Sequence, residues 1–185
     1  YSYIGAAGTS GALTAVVDIG GGSTEICMGF GTDIGFRISF PLGCVRCTGQ
    51  FDVVGARGIG ELKKHCFELF PQADEVASVK RWIFVGGTAT SIAAMLQKLD
   101  VYDASWVQGF VLKPEEVSDL LKQLFSMSYE ERCHIPGLRP ERADIIVAGV
   151  AILDALMEYF AIPEATVSDR DLQEGLLDAD LVKPE

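Results

Sequence analysis

Two glycine-rich segments of the sequence carry residues that could bind a phosphate. Residues 18–25 read Asp-Ile-Gly-Gly-Gly-Ser-Thr-Glu, residues 85–91 read Val-Gly-Gly-Thr-Ala-Thr-Ser, and each segment follows a short apolar run. Glycine lacks a Cβ atom, so consecutive backbone N–H groups can converge on an anion, and the hydroxyls add donors. A tight turn without a ligand is the alternative for either segment. The expected phosphate ligands are Gly20, Gly21, Gly22, Ser23, Thr24, Gly86, Gly87 and Thr88.

Two carboxylates flank the first glycine segment. Asp18 ends an apolar run, where a buried carboxylate is costly unless it binds a cation or hydrogen-bond donors. Glu25 lies seven residues further on, so a hairpin would bring both carboxylates beside one loop. Carboxylate and phosphate oxygens are ligands that Mg²⁺ prefers, so Asp18 and Glu25 predict a Mg²⁺ site. An exposed strand position is the alternative for Glu25.

Two arginines are candidates for contacts with an anion. Arg142 is expected at the start of a long helix, where a cation meets the unfavourable end of the helix dipole. A bound anion would remove that conflict. A solvated arginine paired with Glu141 or Asp144 is the alternative, and Arg46 has the same two interpretations.

The cysteines indicate thiols and not a metal centre. Cys44 and Cys47 form a Cys-x-x-Cys pair, but no second pair follows, and His65-Cys66 has poor spacing for zinc. We therefore expect structural thiols. Five cysteines, an odd number, suit a reducing compartment, and we expect a cytoplasmic protein.

Strand and turn patterns predict the sheet that must position these residues. Three apolar, β-branched runs near the amino end alternate with glycine turns, which is typical of an antiparallel meander. Later apolar runs alternate with helical patterns, which predicts an α/β fold with a mixed five-stranded sheet and flanking helices. The predicted strands cover residues 12–18, 24–30, 34–40, 82–85 and 165–167, with 109–112 as a candidate for a further short strand.

Helical periodicity accounts for most of the remaining chain. Residues 142–160 are apolar on nearly all sides and rich in small residues, which predicts a buried helix. The other predicted helices cover residues 58–70, the segment behind Thr88 as N-cap, the segment that begins at Pro114, and a last segment from Ser168 or Asp169 to Leu177.

The composition is that of one folded domain. The chain has 185 residues, of which 49% are hydrophobic and 22% charged, which is enough for a substantial core. Its net charge of −11 disfavours binding to nucleic acid or to an anionic membrane surface. No run of about 18 apolar residues lacks a charge, so we expect a soluble protein without a membrane span.

Five blocks of the sequence resemble, in order, blocks of the exopolyphosphatase/guanosine pentaphosphate phosphohydrolase (Ppx/GppA) family. That family belongs to the actin-like, sugar-kinase and heat-shock-chaperone superfamily of ribonuclease-H-like folds. The resemblance implies that residues 1–185 form a single domain, one lobe of such a fold. The blocks are residues 16–26, 41–46, 85–94, 142–149 and 166–175.

The resemblance also implies an activity. The family releases orthophosphate, with Mg²⁺, from the end of inorganic polyphosphate or from the 5′ end of guanosine pentaphosphate. By motif, Asp18 and Glu25 would hold the metal and the attacking water, with Glu25 as the catalytic residue. The glycine turns would bind phosphates, and Arg142 would contact the anionic substrate.

The same resemblance implies that a partner lobe is missing. Residues 1–5 resemble the segment that follows the family's water-activating glutamate and its first phosphate loop. The chain is therefore expected to be the second lobe, which folds but turns over little substrate alone. Its exposed cleft face is expected to favour a homodimer.

Two other functions stay open from the residues. One is a nucleotide-dependent phosphotransferase of the same superfamily, which would share the glycine turns but lack blocks 41–46 and 142–149. The other is a non-catalytic sensor of phosphate or nucleotides, which needs no hydrolytic carboxylates. The sequence does not choose between polyphosphate and guanosine pentaphosphate.

Overall fold

One mixed β-sheet forms the centre of the computed structural model, which describes residues 2–7 and 11–170. It has six strands where five are expected, because β5 has two residues, too few for an alternating pattern, and joins the sheet by pairing with β6. The spatial order is β3-β2-β1-β4-β6-β5. The strands are β1 (Leu13–Ile19), β2 (Thr24–Phe30), β3 (Asp33–Phe40), β4 (Arg81–Val85), β5 (Val111–Leu112) and β6 (Ala165–Ser168).

The meander and the parallel strands share strand β1. β1, β2 and β3 pair antiparallel, as predicted, while β1, β4 and β6 run parallel to one another. The carboxyl ends of the three parallel strands therefore meet at one edge, where Gly20, Gly86 and Asp169 follow them. Ligands of α/β sheets bind at this edge.

Eight α-helices connect and cover the strands within the described residues. Among these helices none is long and apolar enough to cross a membrane. The helices are α1 (Ser2–Ala7), α2 (Cys44–Gln50), α3 (Ala56–Leu69), α4 (Gly86–Leu96), α5 (Ala104–Val107), α6 (Pro114–Ser126), α7 (Tyr129–Arg132) and α8 (Ile146–Tyr159), with 3₁₀ segments at Phe70–Ser78 and Pro140–Arg142.

Two helix starts differ from the prediction. The long helix α8 begins at Ile146 and not at Arg142, because Pro140 starts a 3₁₀ turn that ends at Arg142. Helix α4 begins at Gly86, so Thr88 lies inside its first turn and is not the N-cap. The helix expected to run to Leu177 lies outside the described residues.

Helix α8 forms the centre of the main core. Residues 146–157 are all buried, as the apolar composition predicts, and α8 packs against α2, α3 and α6. Gly149 permits a close approach, since a Cβ there would lie 2.7 Å from Cγ2 of Thr88. The other face of the sheet is covered by α1, where Tyr3 packs with Val16.

Lys63 ties α3 to α8 through two ion pairs. Lys63 Nζ lies 2.6 Å from Asp154 Oδ2 and 2.5 Å from Glu158 Oε2. Asp154 is 7% exposed, so its charge depends on Lys63 for compensation. Asp154 is buried at the contact between α3 and α8, whereas Glu158 is mostly exposed.

Candidate active site

Helix α2 backs the first glycine turn, which joins β1 to β2. The carbonyl oxygen of Gly20 accepts from the first N–H of α2 at 2.9 Å, and that of Gly21 accepts from the next two N–H groups at 2.9 and 3.0 Å. The carbonyl oxygen of Gly22 accepts from Nε of Arg46 at 2.8 Å. All three glycine carbonyls therefore point toward α2.

The N–H groups of the same peptides point the opposite way. In a trans peptide the C=O and the following N–H are antiparallel, and no cis peptide bond occurs in the described residues. The N–H groups of Gly21, Gly22 and Ser23 therefore face away from α2. Within residues 11–170 none of them has a hydrogen-bond acceptor. Neighbouring backbone donors of this kind form a concave site for an anion.

Gly43 allows α2 to lie this close to the turn. A Cβ at this position would lie 2.5 Å from the carbonyl carbons of Gly21 and Gly22. Any side chain there would push the turn and α2 apart. In the sequence, Pro41-Leu-Gly43 indicates the end of a strand. It does not by itself predict the contact between α2 and the turn.

The β1–β2 hairpin brings the two predicted carboxylates together. Asp18 and Glu25 are direct partners in the antiparallel register, so their side chains lie on the same face of the sheet. Burial raises the pKa of Asp18, and the negative charge of Glu25 raises it further. Ser39 Oγ donates to Glu25 Oε1 at 2.7 Å and orients that carboxylate. Two facing carboxylates, one of them partly desolvated, favour a bound cation.

The second glycine turn meets the first at Asp18. Gly86 has a φ of +79°, which residues with side chains rarely adopt, and a Cβ there would lie 2.5 Å from Asp18 Oδ1. Asp18 and Val85 are parallel partners in β1 and β4, so the two turns leave the sheet side by side. Thr88 Oγ1 donates to the Ile19 carbonyl at 2.9 Å and ties the turns together. The structure therefore brings together the predicted glycine turns and the first carboxylate.

Arg142 reaches the second turn from the 3₁₀ segment before α8. Its guanidinium lies against Gly87, where a Cβ would overlap it, and Nη1 is 3.5 Å from Ser91 Oγ. The predicted conflict with the dipole of α8 does not arise, because α8 begins at Ile146. The guanidinium lies instead beside the first turn of α4. An anion between them would be attracted by both positive groups.

Two hydroxyls predicted as phosphate donors are used inside the fold. Thr24 Oγ1 donates to the Leu42 carbonyl at 2.6 Å, and Thr88 Oγ1 donates to the Ile19 carbonyl at 2.9 Å. Both side chains are buried. These two hydroxyls therefore donate to the backbone and not toward a phosphate, whereas Ser23 is partly exposed in the first turn.

A pocket of about 610 Å³ opens beside the second turn. Gly86 and Arg142 line one side of this pocket, and its remaining wall includes Tyr102, Arg139 and Asp169. The guanidinium carbon of Arg139 lies 5.7 Å from the centre of the Tyr102 ring, and Tyr102 Oη donates to Asp169 Oδ1 at 2.5 Å. Burial and the Asp169 hydrogen bond raise the pKa of Tyr102 to about 12. The sequence gives no sign of this wall, because its residues come from three separate loops.

The cysteines pack as thiols. Cys44 and Cys47 are buried in α2, and Cys66 is buried in α3. Burial raises the pKa of Cys47, and it raises that of Cys66 to about 12. The part of the chain that the structure describes holds no group of three or more metal-ligating side chains.

This sheet order, with two glycine turns and a carboxylate at the carboxyl edge of parallel strands, defines a class: the α/β lobes of the ribonuclease-H-like, actin-type fold. The chain belongs to the Ppx/GppA phosphatase family, whose model matches residues 1–183. The family resemblance and the fold class read from the sequence are thereby confirmed.

Relatives with known names and structures are similar along nearly the whole chain. Exopolyphosphatase 2 of Mycobacterium tuberculosis is 28% identical and covers 94% of this chain. A bifunctional 3-dehydroquinate synthase/phosphatase of Fusobacterium nucleatum is 31% identical over 84% of this chain and 24% of its own length. The crystal structure of the Aquifex aeolicus Ppx/GppA family member superposes with a TM-score of 0.89 at 28% identity over 98% of this chain.

The relatives are longer than this chain. The chain spans 57% of the Mycobacterium tuberculosis protein and 61% of the Aquifex aeolicus chain. The comparison therefore covers one part of each relative.

Proposed function

We propose that this chain is the phosphate-binding lobe of a phosphohydrolase that releases terminal orthophosphate from a phosphoanhydride chain. Inorganic polyphosphate and guanosine pentaphosphate are the proposed substrates. The proposal depends on one observation: Asp18 lies against Gly86, so both glycine turns meet at a carboxylate. Family membership and relatives named exopolyphosphatase support it.

The first turn binds a phosphate in this proposal through the amides of Gly21, Gly22 and Ser23. The second turn binds through the first backbone N–H groups of α4, and Arg142 neutralises charge at that turn. Phosphoryl transfer depends mainly on positioning and on charge neutralisation, so backbone dipoles and one arginine suit the reaction. In a chain with a net charge of −11, these local positive groups are what attracts a polyanion.

Asp18 and Glu25 are the residues that would hold Mg²⁺. Their carboxylate oxygens match the ligands of a hard divalent cation. Burial, and then the negative charge of Glu25, raise the pKa of Asp18, so a cation there would offset the cost of ionising it. Since only two carboxylates face each other, substrate oxygens and water would supply the other ligands. The metal would neutralise charge on the transferred phosphoryl group. Glu25, held by Ser39, would orient the attacking water.

We place the remaining phosphate ligands and the water-activating glutamate in a second, amino-terminal lobe outside residues 1–185. The span of about three fifths of the Aquifex aeolicus chain supports this division. The 185-residue chain alone is then expected to bind phosphate and to turn over little substrate, and its uncovered cleft face to favour self-association.

The test compares the full-length protein with residues 1–185. Orthophosphate release is measured with Mg²⁺ from polyphosphate and from guanosine pentaphosphate, and pyrophosphate binding is measured by calorimetry. We expect release by the full-length protein, and binding with at most weak release by the lobe. Rapid release by the lobe alone would contradict the two-lobe proposal.

The same assays separate the alternatives. Tight binding by the full-length protein without release would favour a sensor, whereas transfer of phosphate from ATP to an acceptor would favour a phosphotransferase. Absence of pyrophosphate at both turns in a crystal soaked with Mg²⁺ would overturn the site itself.

A further inference from the structure

We propose that Arg46 is a positioning residue of this site: its Nε holds the Gly22–Ser23 peptide so that the Ser23 N–H faces the bound phosphate. The proposal rests on phosphate binding by the first glycine turn. It assigns to an exposed arginine a role that acts through the backbone.

Arg46 contacts the turn twice. Its backbone N–H donates to the Gly21 carbonyl at 3.0 Å, and its Nε donates to the Gly22 carbonyl at 2.8 Å. The carbonyls of Gly20 and Gly21 are held by backbone donors of α2, which the helix itself fixes. The Gly22 carbonyl depends on a side chain. One substitution can therefore release the third peptide while the other two stay in place.

The Gly22–Ser23 peptide needs such a restraint. Gly22 is exposed, and a Cβ at that position would meet nothing within 4 Å, so packing around Gly22 adds no restraint on this peptide. Glycine also has more accessible backbone conformations than any other residue. Because the Ser23 N–H is antiparallel to the Gly22 carbonyl, the bond from Arg46 fixes the direction of both.

Arg46 uses its side chain to hold the turn and not to form an ion pair within the described residues. The ion pairs of the described residues do not include Arg46, although acidic residues outnumber basic ones by 26 to 15. A guanidinium has five N–H donors, and the rigid fork directs Nε sideways toward a carbonyl. Arg46 thus takes a backbone acceptor in preference to a surface carboxylate.

Two substitutions separate the Nε donor from the charge. In glutamine, the amide nitrogen is bonded to Cδ, as Nε is in arginine, so Arg46→Gln keeps a donor at that position and loses the charge. Arg46→Met has a side chain of similar reach and loses both donor and charge. Arg57→Met is the matched control, because Arg57 is 93% exposed on α3 and pairs with Glu61.

The experiment uses the full-length protein that contains this chain. It measures kcat/KM for orthophosphate release from tripolyphosphate with Mg²⁺, pyrophosphate affinity by calorimetry, and the melting temperature. We expect Arg46→Met to lower kcat/KM and affinity about tenfold, the effect of one net hydrogen bond. Arg46→Gln is expected to stay within about threefold of the wild type. Arg57→Met is expected to change neither quantity.

Any other pattern of effects among these variants would contradict the positioning role of Arg46. Equal losses in the Gln and Met variants would assign the effect to charge, and no loss in either would remove Arg46 from the site. A loss in affinity that follows a fall in melting temperature would show a structural role only. A wild type that binds pyrophosphate without releasing phosphate contradicts the proposed hydrolysis, while the affinities of the variants still test Arg46.

Discussion

Asp18 and Glu25 face each other directly across the β1–β2 ladder, one residue pair before the glycine turn. Like charges in direct cross-strand pairs destabilise a sheet, and partial burial of Asp18 adds to the cost. Groups kept in such a costly arrangement are typical of functional sites. The pair therefore gives predictions for stability as well as for activity.

Asp18→Asn is expected to raise the melting temperature of the protein in EDTA near pH 7. The pKa of Asp18 is raised above 3.8 in the folded state, so folding favours the protonated form, and stability falls as the pH rises through that range. Asparagine cannot ionise and escapes this loss. Calorimetric scans from roughly pH 4 to pH 7 measure the difference. Asp33→Asn, at an exposed position, is the control, and a variant less stable than wild type at pH 7 would contradict the prediction.

Glu25→Gln is expected to lower kcat for orthophosphate release by about 100-fold or more, with little change in melting temperature. Glutamine can still accept from Ser39 Oγ, so the substitution removes mainly the charge. Ser39→Ala, which removes only the orienting hydrogen bond, is expected to cost less, on the order of threefold to tenfold. The measurement is steady-state kinetics of the full-length protein with Mg²⁺. If the Gln variant kept half of the wild-type rate, Glu25 would have no role in the reaction.

Gly87→Ala is expected to weaken pyrophosphate binding and phosphate release at least tenfold, because its Cβ would occupy the place of the Arg142 guanidinium. The matched control is Gly60→Ala on α3, where a Cβ would meet nothing within 4 Å. That variant should keep its activity and gain up to about 1 kcal/mol of stability. Similar affinities in both variants would show that Arg142 does not contact the ligand at this turn.

Lys63→Met is expected to lower the free energy of unfolding by about 3 kcal/mol and to leave the activity of the folded protein unchanged. The substitution leaves the buried Asp154 carboxylate without its cation. Burial alone would lower the pKa of Lys63, but the hydrogen bonds that Lys63 donates to Asp154 and Glu158, with the charges of the two carboxylates, outweigh it and raise the pKa. The stabilisation from this pair is therefore complete below pH 10.5, the ordinary pKa, and is lost as the pH rises through the raised value.

Urea unfolding at pH 7 measures the effect of Lys63→Met. The control is Lys122→Met, because Lys122 and Asp119 form a pair on the surface of α6. Because such an exposed pair contributes little to stability, Lys122→Met should change the free energy of unfolding by no more than about 0.5 kcal/mol. Equal effects of the two substitutions would contradict the importance of burial at Asp154.

The sequence alone predicts the layout of the fold and the position of both turns. Short apolar, β-branched runs at 12–18, 24–30 and 34–40, separated by glycine turns, locate the meander. The apolar composition of residues 142–160 predicts the buried helix, of which residues 146–159 are helical in the structure. The pairing of Asp18 with Glu25 follows from the length of the hairpin, which sets the register.

Other features depend on contacts that no local pattern contains. Nothing near Thr88 shows that its hydroxyl donates to Ile19, 69 residues away in sequence. The backing of the first turn by α2 is equally non-local, and the helix has only seven residues and no side-chain cap to announce it. The wall formed by Tyr102 and Arg139 requires loops that meet only in the folded chain.

The backing of the first turn has a consequence for product release. The donors to the carbonyls of Gly20, Gly21 and Gly22 come from α2 and Arg46 and not from a ligand, so the departure of a ligand removes none of them. When orthophosphate departs, water needs to re-solvate only the opposite side of those peptides, and the backbone has no reason to rearrange. The turn would then already have the shape that the next terminal phosphate requires, which would suit the proposed removal of successive phosphates from one phosphoanhydride chain.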